Sequence, residues 1–341
     1  MRALVTGGAG FIGSHLARHL LDLGAEVMVL DNLSGGFRDN VPEGARFVRD
    51  NVCYPEVVKR IFDNWQPTHV YHLAAYAAEG LSHWIRRQNY EINLIGSANL
   101  INEAVRCGVE RFVFTSSMSV YGSQLPPFDE GMPRQPEDPY AVAKAAVEQD
   151  LEAAHALWGL PYTIVRPHNV YGPGQNLGDP YRNVVGIFMR QALQGESLTV
   201  FGDGSQVRSF SYVGDIVPAL ADCGWEPKAA RRIVNLGSEQ PVTVLELAEK
   251  VRQVLGEPTS PILLLPRRYE VAEAYSSHNV ARDLFGHQPN TPLNEGLALM
   301  AAWAREAGVR WSRWEPEAEL TKGMPPSWLS RQKALIASSG N

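Results

Sequence analysis

The 341-residue sequence predicts an α/β fold, a doubly wound parallel sheet with a smaller, interleaved C-terminal lobe. Strand and helix patterns alternate through the first half of the chain, as they do in parallel sheets. A glycine-rich turn joins the first strand to the first helix. Past Pro167 the alternation gives way to loops rich in glycine and proline, which indicates an irregular second lobe that closes over a ligand.

The individual elements follow from hydrophobic periodicity. Short apolar runs predict strands at 2–6, 27–30, 46–48, 69–73, 111–115 and 162–166, with a returning strand at 233–236. Apolar residues at helical spacing predict helices at 14–23, 55–65, 88–107, 139–158, 184–194 and 243–255. Asp138 is the expected N-cap of the 139–158 helix, because Pro139 suits the first helical position.

These elements divide the chain into three parts. We expect residues 1–167 to form a nucleotide-binding domain, to which residues 212–238 return. The substrate lobe would comprise residues 168–211 and 239–310. In the remaining tail, 311–341, the tryptophans are expected to be packed anchors.

Composition argues against several classes of partner and site. A formal net charge of -6 argues against nucleic acid or an anionic membrane surface. No apolar run approaches the roughly 18 residues of a membrane span, and the glycine turn begins too early to leave room for a signal peptide. Cys53, Cys107 and Cys223 are odd in number and lack metal-ligand spacing. We therefore expect reduced cysteines, no metal and a cytoplasmic location.

The first turn has the spacing of a dinucleotide site. Gly8-x-Gly10-x-x-Gly13 follows a strand and opens a helix, and a second glycine spacing starts at Gly7. Glycines let the backbone approach a pyrophosphate at the helix N-terminus, where free amides and the helix dipole favour anions. Asp31 ends the next strand, where a carboxylate can accept both adenosine ribose hydroxyls and repel a 2′-phosphate. The predicted cofactor is therefore NAD.

Tyr140 and Lys144 are the candidates for proton chemistry. They stand four residues apart near the start of a predicted helix, so both side chains project from one face. An ammonium group and a positive nicotinamide ring would both favour the phenolate, so we expect the pKa of Tyr140 to lie below about 10. Such a tyrosine can remove a proton from a substrate hydroxyl while hydride leaves to the nicotinamide. Ser117 follows a buried strand whose carboxyl end faces the ligand crevice.

Seven stretches together carry a family resemblance: TGGAGFIGSHL, LDNLS, HLAA, SSMSVYG, YAVAK, RPHNVYGPGQN and FGDGSQVRSF. Over residues 2–217 the chain resembles the extended short-chain dehydrogenase/reductase family, specifically its nucleotide-sugar epimerase and dehydratase branch. It is most similar to UDP-sugar 4-epimerases. The resemblance implies a Rossmann fold, bound NAD, a nucleotide-sugar substrate and a homodimer formed by the 88–107 and 139–158 helices.

The resemblance also implies roles for individual residues. It assigns the cofactor to Gly7, Gly10, Phe11, Ile12, Gly13, Asp31, Asn32, Asp50, Asn51, Leu73, Ala74 and Ala75, with Asn93 supporting Lys144. It assigns proton chemistry to Tyr140 and Lys144, assisted by Ser117, with Ser119 nearby in the sugar pocket. It assigns the substrate nucleotide to Asn169, Phe201, Arg208 and Arg268.

Departures from the family pattern narrow the reaction. Family 4,6-dehydratases carry Asp and Glu where this chain has Met118 and Ser119, and decarboxylases usually have Glu at the second position. The resemblance therefore implies NAD-dependent 4-epimerisation of a UDP-hexose or UDP-hexuronate through a transient 4-keto sugar. A dehydratase, a decarboxylase, a 3,5-epimerase and a non-catalytic nucleotide-binding module are the alternatives. Glu79 is unexpected at its position; a solvated loop residue is the simplest interpretation, and contact with the sugar or a role as second base stays open.

Overall fold

The computed structural model describes residues 1–256, 260–312 and 314–339, with side chains to residue 334 except in the gaps. Seven parallel strands form the central sheet in the order β7-β6-β5-β4-β1-β2-β3. They are β1 (Arg2–Thr6), β2 (Glu26–Asp31), β3 (Arg46–Arg49), β4 (His69–His72), β5 (Arg111–Thr115), β6 (Tyr162–Pro167) and β7 (Arg232–Leu236). Because β1 lies between β2 and β4, the chain winds outward in both directions, as predicted.

Helices cover the sheet and build the second lobe. They are α1 (Phe11–Asp22), α2 (Pro55–Trp65), α3 (Arg86–Tyr90), α4 (Gly96–Cys107), α5 (Pro139–Trp158), α6 (Val184–Leu193), α7 (Val213–Asp222), α8 (Val244–Val254), α9 (Asn279–Phe285), α10 (Leu293–Ala307) and α11 (Pro326–Ser339). None of the helices in the described ranges combines the length and apolar composition needed to cross a membrane. The same ranges contain no group of three His, Cys, Asp or Glu side chains that could hold a metal ion.

Alternate residues of each central strand pack against opposite helical layers. Ala3 and Val5 of β1 belong to a core shared with α1 and α7, whereas Leu4 belongs to a core shared with α2, α4 and α5. This alternation follows from the two-residue period of a strand. Burial of both faces explains why the strands read as nearly continuous apolar runs in the sequence.

The second lobe has its own core. Helices α6, α8 and α10 enclose apolar residues that include Phe188, Leu247 and Met300. Within the described ranges, small sheets complete this lobe: Val170–Tyr171 with Ser211–Tyr212, Leu198–Phe201 with Ile262–Leu265, and Val207–Ser209 with Pro241–Thr243 and Glu273–Ala274. The second lobe therefore has a hydrophobic core of its own and lies beside the carboxyl edge of the central sheet.

Two helices differ from the sequence prediction in an informative way. The first helix begins at Phe11 rather than residue 14, because Gly13 fits inside the first helical turn. The predicted 88–107 helix begins at Arg86 and contains a π-helical turn, Glu91–Ile95, before α4. Turns of this kind often occur at functional sites, and this one contains Asn93.

The tail packs back onto both lobes. Asn176 Nδ2 donates to Ser312 Oγ at 2.6 Å, and the Glu319 carboxylate accepts the backbone amides of Arg87 and Gln88 at 2.8 and 2.9 Å. Those amides lie in the first turn of α3, so Glu319 satisfies donors that the helix itself leaves unpaired. Trp328 lies in an apolar cluster with residues of the 76–85 loop.

Candidate active site

One cavity of about 640 Å³ runs along the carboxyl ends of the parallel strands and continues into the second lobe. Its wall includes all the site residues predicted from the sequence except Asn93 and Ser119. Ligands of open parallel sheets bind at this edge, where strand ends and following loops meet. The cavity is therefore the candidate active site.

The glycine turn forms one end of the cavity. Gly7 has φ +72°, a left-handed conformation, and a Cβ atom on Gly13 would lie 2.3 Å from the carbonyl oxygen of Gly7. Glycine is therefore required at both positions. No side chain caps α1, and its first turn contains no acidic residue, so its free amides can donate hydrogen bonds to a pyrophosphate. These residues fit the phosphate end of NAD.

Asp31 lies beside the glycine turn at the end of β2. Its Oδ2 accepts the Ala9 amide at 3.0 Å and its Oδ1 accepts the Leu33 amide at 2.8 Å. Burial raises the pKa of the Asp31 carboxyl, whereas these amides and the Arg182 charge oppose that rise. Asp31 is thus held as a hydrogen-bond acceptor at the end of β2, where a carboxylate can bind ribose hydroxyls, and no described cation forms an ion pair with it.

At the expected adenine end of the cavity, two polar side chains accept hydrogen bonds from backbone amides two residues further along the chain. Asn32 Oδ1 accepts the Ser34 amide at 2.9 Å, and Asn51 Oδ1 accepts the Cys53 amide at 3.0 Å. Asp50 pairs with Arg60 at 3.1 Å. Among the described residues, the Asn51 side-chain NH2 group has no hydrogen-bond partner, so it can donate to a base.

Asn93 packs against the loop after β4. Leu73, Ala74 and Ala75 line the cavity, but Asn93 lies behind them. Its Oδ1 accepts the Tyr76 amide at 3.0 Å and its Nδ2 donates to the Tyr76 carbonyl at 3.2 Å. Within the described chain it forms no hydrogen bond with Lys144. Asn93 therefore supports the Tyr76 backbone of this loop, and its expected support of Lys144 stays a prediction.

Tyr140 faces the cavity from the first turn of α5. Asp138 caps this helix by accepting the Ala141 amide at 2.9 Å, which fixes the direction of the turn. Ser117 lies opposite Tyr140, and Ser119 Oγ donates to Ser117 Oγ at 3.0 Å. Ser119 does not itself line the cavity but contacts Ser117, which does, and its expected place in the sugar pocket stays a prediction.

The electrostatics of Tyr140 and Lys144 are dominated by burial. Burial raises the pKa of Tyr140, an effect that interaction with Ser117 opposes and the Glu79 and Asp138 charges strengthen. Burial lowers the pKa of Lys144 to about 7, although the Glu148 charge acts in the other direction. In the protein alone, the expected lowering of the Tyr140 pKa by Lys144 is therefore outweighed by desolvation.

Lys144 is held by specific contacts. Its Nζ donates to the Thr115 carbonyl at 2.7 Å and lies 4.7 Å from the centre of the Phe114 ring. The same Nζ is 5.8 Å from the centre of the Tyr140 ring. These contacts come from β5 and α5, so both elements fix the ammonium beside the cavity.

Two arginines lie at the opposite end of the cavity. Arg208 donates to the carbonyls of Val207, Ala272 and Val271 at 2.8, 3.0 and 2.5 Å. Arg268 stacks over Phe201, 4.6 Å from the ring centre, and pairs with a single carboxylate, Glu270, at 3.2 Å. Two guanidinium groups share that one carboxylate, which leaves positive charge suited to a diphosphate.

Asn169 and Glu79 complete the substrate end of the wall. Asn169 follows β6 with φ 34°, and its Nδ2 donates to the Ser209 carbonyl at 3.0 Å. Glu79 lines the cavity and its side chain is exposed to the open space there. Desolvation by the surrounding protein, followed by the Asp138 charge, raises its pKa. Glu79 is thus an exposed loop residue that also lines the cavity, and its contact with the sugar stays a prediction.

Sequence reasoning missed residues that reach the cavity from distant parts of the chain. Ser327, Trp328 and Arg331 of α11 line it, and Trp328 packs edge-on against Phe201 at 6.1 Å between ring centres. Arg182, in the long loop after β6, lies near enough to affect the pKa values of both Asp31 and Tyr140. No local motif marks these residues, because their positions depend on tertiary packing.

Comparisons with known proteins agree with this geometry. The chain matches the NAD dependent epimerase/dehydratase family over residues 3–237. It is 34% identical to the UDP-N-acetyl-alpha-D-glucosaminuronate decarboxylase of Bacillus cytotoxicus, over 89% of this chain and 98% of the relative.

Solved UDP-glucose 4-epimerases have the same fold. The enzyme of Thermotoga maritima with UDP-glucose is 35% identical, with a TM-score of 0.85, over 90% of this chain and 99% of the other. The Thermus thermophilus enzyme in complex with NAD is 36% identical, with a TM-score of 0.84, over 90% of this chain and 100% of the other.

The matches confirm the fold, the NAD cofactor and the enzyme class predicted from the sequence, that of an NAD-dependent nucleotide-sugar epimerase. They leave the roles of individual residues to the geometry of the cavity. Since the family model covers more than half of the sequence and the decarboxylase aligns over nearly all of its own length, the chain belongs to the NAD dependent epimerase/dehydratase family.

Proposed function

We propose that this chain is a UDP-sugar 4-epimerase, which oxidises C4 of the sugar and then reduces the 4-keto sugar on its opposite face. The observation that carries the proposal is the composition of the segment after β5. Ser117 supplies a hydroxyl beside Tyr140, while Met118 and Ser119 supply no carboxylate for elimination. The solved relatives that are UDP-glucose 4-epimerases support the same reaction.

Substrate binding would follow the charge distribution of the cavity. The diphosphate of the nucleotide would lie against Arg208 and Arg268, which among the described residues form ion pairs with Glu270. Asn169 would donate to the same group, and Phe201 offers an aromatic face at this end. These roles place the sugar toward Tyr140, because the diphosphate joins the two parts of the ligand.

Proton transfer would be the task of Tyr140. Its phenolic oxygen would take the proton from O4, while Ser117 would hydrogen-bond the same oxygen and stabilise it as it becomes a carbonyl. When bound, NAD supplies a reversible acceptor for the hydrogen of C4. In its protonated form, Lys144 would favour the phenolate of Tyr140, whose ring centre lies 5.8 Å from the Lys144 Nζ. The Tyr140 proton would then return to O4 after the sugar turns over.

A second function of the same family has one observation in its favour. Glu79 places a carboxylate in the cavity with Tyr140, and dehydratases, decarboxylases and 3,5-epimerases need a second acid or base. The decarboxylase relative makes this alternative specific. A non-catalytic module that only binds a nucleotide would not need Tyr140, Lys144 and Ser117 in one cavity. Their presence together disfavours that interpretation.

Turnover in heavy water tests the proposal. Oxidation and reduction at C4 exchange no carbon-bound hydrogen with solvent, whereas the alternatives pass through carbanion or enol intermediates. We expect UDP-glucose or UDP-N-acetylglucosamine to give its C4 epimer with unchanged mass and no ring deuterium, measured by mass spectrometry and NMR. Tyr140→Phe should slow this turnover by roughly two orders of magnitude or more. Deuterium at C3 or C5, or loss of water or carbon dioxide, would contradict 4-epimerisation.

We also propose that the protein is a homodimer, assembled through α5 and the α3–α4 region. Apolar side chains on these helices stand in water in the single chain: Ile95, Val142, Leu157 and Trp158 are 51%, 38%, 70% and 61% exposed. An assembly across both helices would cover these groups. It would also brace the helix that carries Tyr140 and Lys144.

A further inference from the structure

The backbone of Glu79 has a fixed place relative to the helix that carries Tyr140. It precedes the 3₁₀ turn Gly80–Trp84, and Ser82 Oγ lies 2.7 Å from its carbonyl oxygen. The same Oγ lies 3.2 Å from Asp138 Oδ1, and Asp138 caps the helix that begins beside Tyr140. The turn and the helix are thus tied together, which holds the Glu79 backbone near the start of the helix that carries Tyr140.

The Glu79 carboxylate has no hydrogen bond or ion pair with any residue the structure describes. The nearby cations are already engaged: Arg208 donates to three backbone carbonyls, and Arg268 pairs with Glu270. Glu79 is nevertheless a wall residue of the cavity. A charged or polar group left open in a binding cavity is available to the ligand.

A bound nucleotide sugar would have to pass Glu79. Glu79, Tyr140 and the arginines suited to the diphosphate all line the same cavity. Electrostatic interaction joins Glu79 to each of these groups: its charge raises the pKa of Tyr140, and both arginine charges lower its own. In the ligand, the sugar carries both the diphosphate and the O4 atom that Tyr140 would deprotonate. The sugar is therefore the part of the ligand that would meet the Glu79 carboxylate.

We propose, on the basis of the proposed function, that Glu79 contacts the sugar ring and selects neutral hexoses over hexuronates. Sugar hydroxyls are hydrogen-bond donors that a carboxylate accepts. A hexuronate would bring a second carboxylate toward Glu79 and Asp138, while the arginines are committed to the diphosphate. Like charges brought together at a binding site select against the wrong ligand.

The test compares two ligands that differ at C6 only. Dissociation constants of UDP-glucose and UDP-glucuronate are measured by calorimetry on the NAD-loaded protein, with kcat/KM measured beside them. We expect the parent to bind UDP-glucuronate about tenfold or more weakly than UDP-glucose. Glu79→Gln should bring the two dissociation constants to within about threefold of each other. Glu56→Gln, which removes an exposed carboxylate of α2 that does not line the cavity, should leave the parent ratio unchanged.

Equal affinity of the parent for both ligands would overturn the proposal, and so would an unchanged ratio in Glu79→Gln. Glu79→Ala provides a second variant should Gln disturb the loop, and it should lose the same discrimination. The proposed function fails in a different way: the binding ratio would shift as expected, but neither ligand would give a C4 epimer. Binding and product analysis together therefore separate the two conclusions.

Discussion

At the residue scale, Tyr140 occupies a position that opposes its own ionisation. Burial and the charges of Glu79 and Asp138 raise its pKa, and only Ser117 and Arg182 act in the other direction. The i, i+4 spacing to Lys144 is visible in the sequence and identified the pair correctly as neighbours of one cavity. The desolvation of both groups was not visible, because it depends on what the rest of the chain packs around them.

Lys144→Met should change how stability depends on pH in the NAD-free protein. The folded pKa of Lys144 is about 7, below its ordinary value of 10.5, so between these values the unfolded chain binds the extra proton. The free energy of unfolding therefore rises with pH across this window, and the cost of the buried ammonium is largest below pH 7. We expect Lys144→Met to be more stable than the parent by about 1 kcal/mol or more at pH 6, and less so at pH 10.

Urea unfolding at pH 6, 8 and 10 measures this difference. Lys228→Met is the control, because Lys228 is an exposed lysine outside the cavity and its removal should shift no part of the profile. A stability difference between Lys144→Met and the parent that stays the same at all three pH values would show that desolvation of the ammonium is not the cause.

At the element scale, the sequence predicted regular helices better than their interruptions. Helix α5 has the predicted bounds. Its N-cap and its first-position proline could be predicted because both are local preferences of a helix start. The π-helical turn before α4 was not predicted, because it adds one residue to a helical turn while the apolar pattern continues through it. That turn contains Asn93, whose side chain bonds to the Tyr76 backbone, while its expected support of Lys144 stays a prediction.

The outer face of α5 supplies a test of the proposed homodimer. Val142→Arg places a charge where the partner helix would pack, so we expect the parent to sediment at twice the chain mass and the variant at the chain mass. Leu245→Arg is a matched control on α8, since Leu245 is 39% exposed and Val142 is 38% exposed. Sedimentation of both variants as dimers would remove α5 from the interface.

At the scale of the whole molecule, the predictable part of the site is the part attached to strand ends. The glycine turn, Asp31, Ser117 and Tyr140 each adjoin a strand or helix end, and parallel topology brings such ends to one edge. Trp328 was expected to be a packed anchor. It packs as expected but also reaches the cavity, more than 100 residues along the chain from Phe201, which it contacts.

Trp328→Ala should weaken nucleotide binding more than it changes the chemical step. The indole ring contacts Tyr181 and Phe201 and lies 5.6 Å from the Arg268 guanidinium, so its removal loosens the wall at the diphosphate end. We expect the dissociation constant of UDP, measured by calorimetry, to rise roughly tenfold, equivalent to about 1.4 kcal/mol. Trp225→Ala, at a tryptophan outside the cavity wall, should leave it unchanged. Unchanged UDP affinity in Trp328→Ala would make that residue a packing group alone.

The tail has a consequence for how such an enzyme can change over evolutionary time. Tyr140, Lys144 and Ser117 are set by β5 and α5 in the interior, where most substitutions would damage packing as well as chemistry. Ser327, Trp328 and Arg331 border the same cavity from α11, a surface helix at the far end of the sequence. Mutation in this tail can therefore alter which ligand is accepted while the inherited reaction machinery stays intact. Selectivity and chemistry are free to diversify at different rates within one gene.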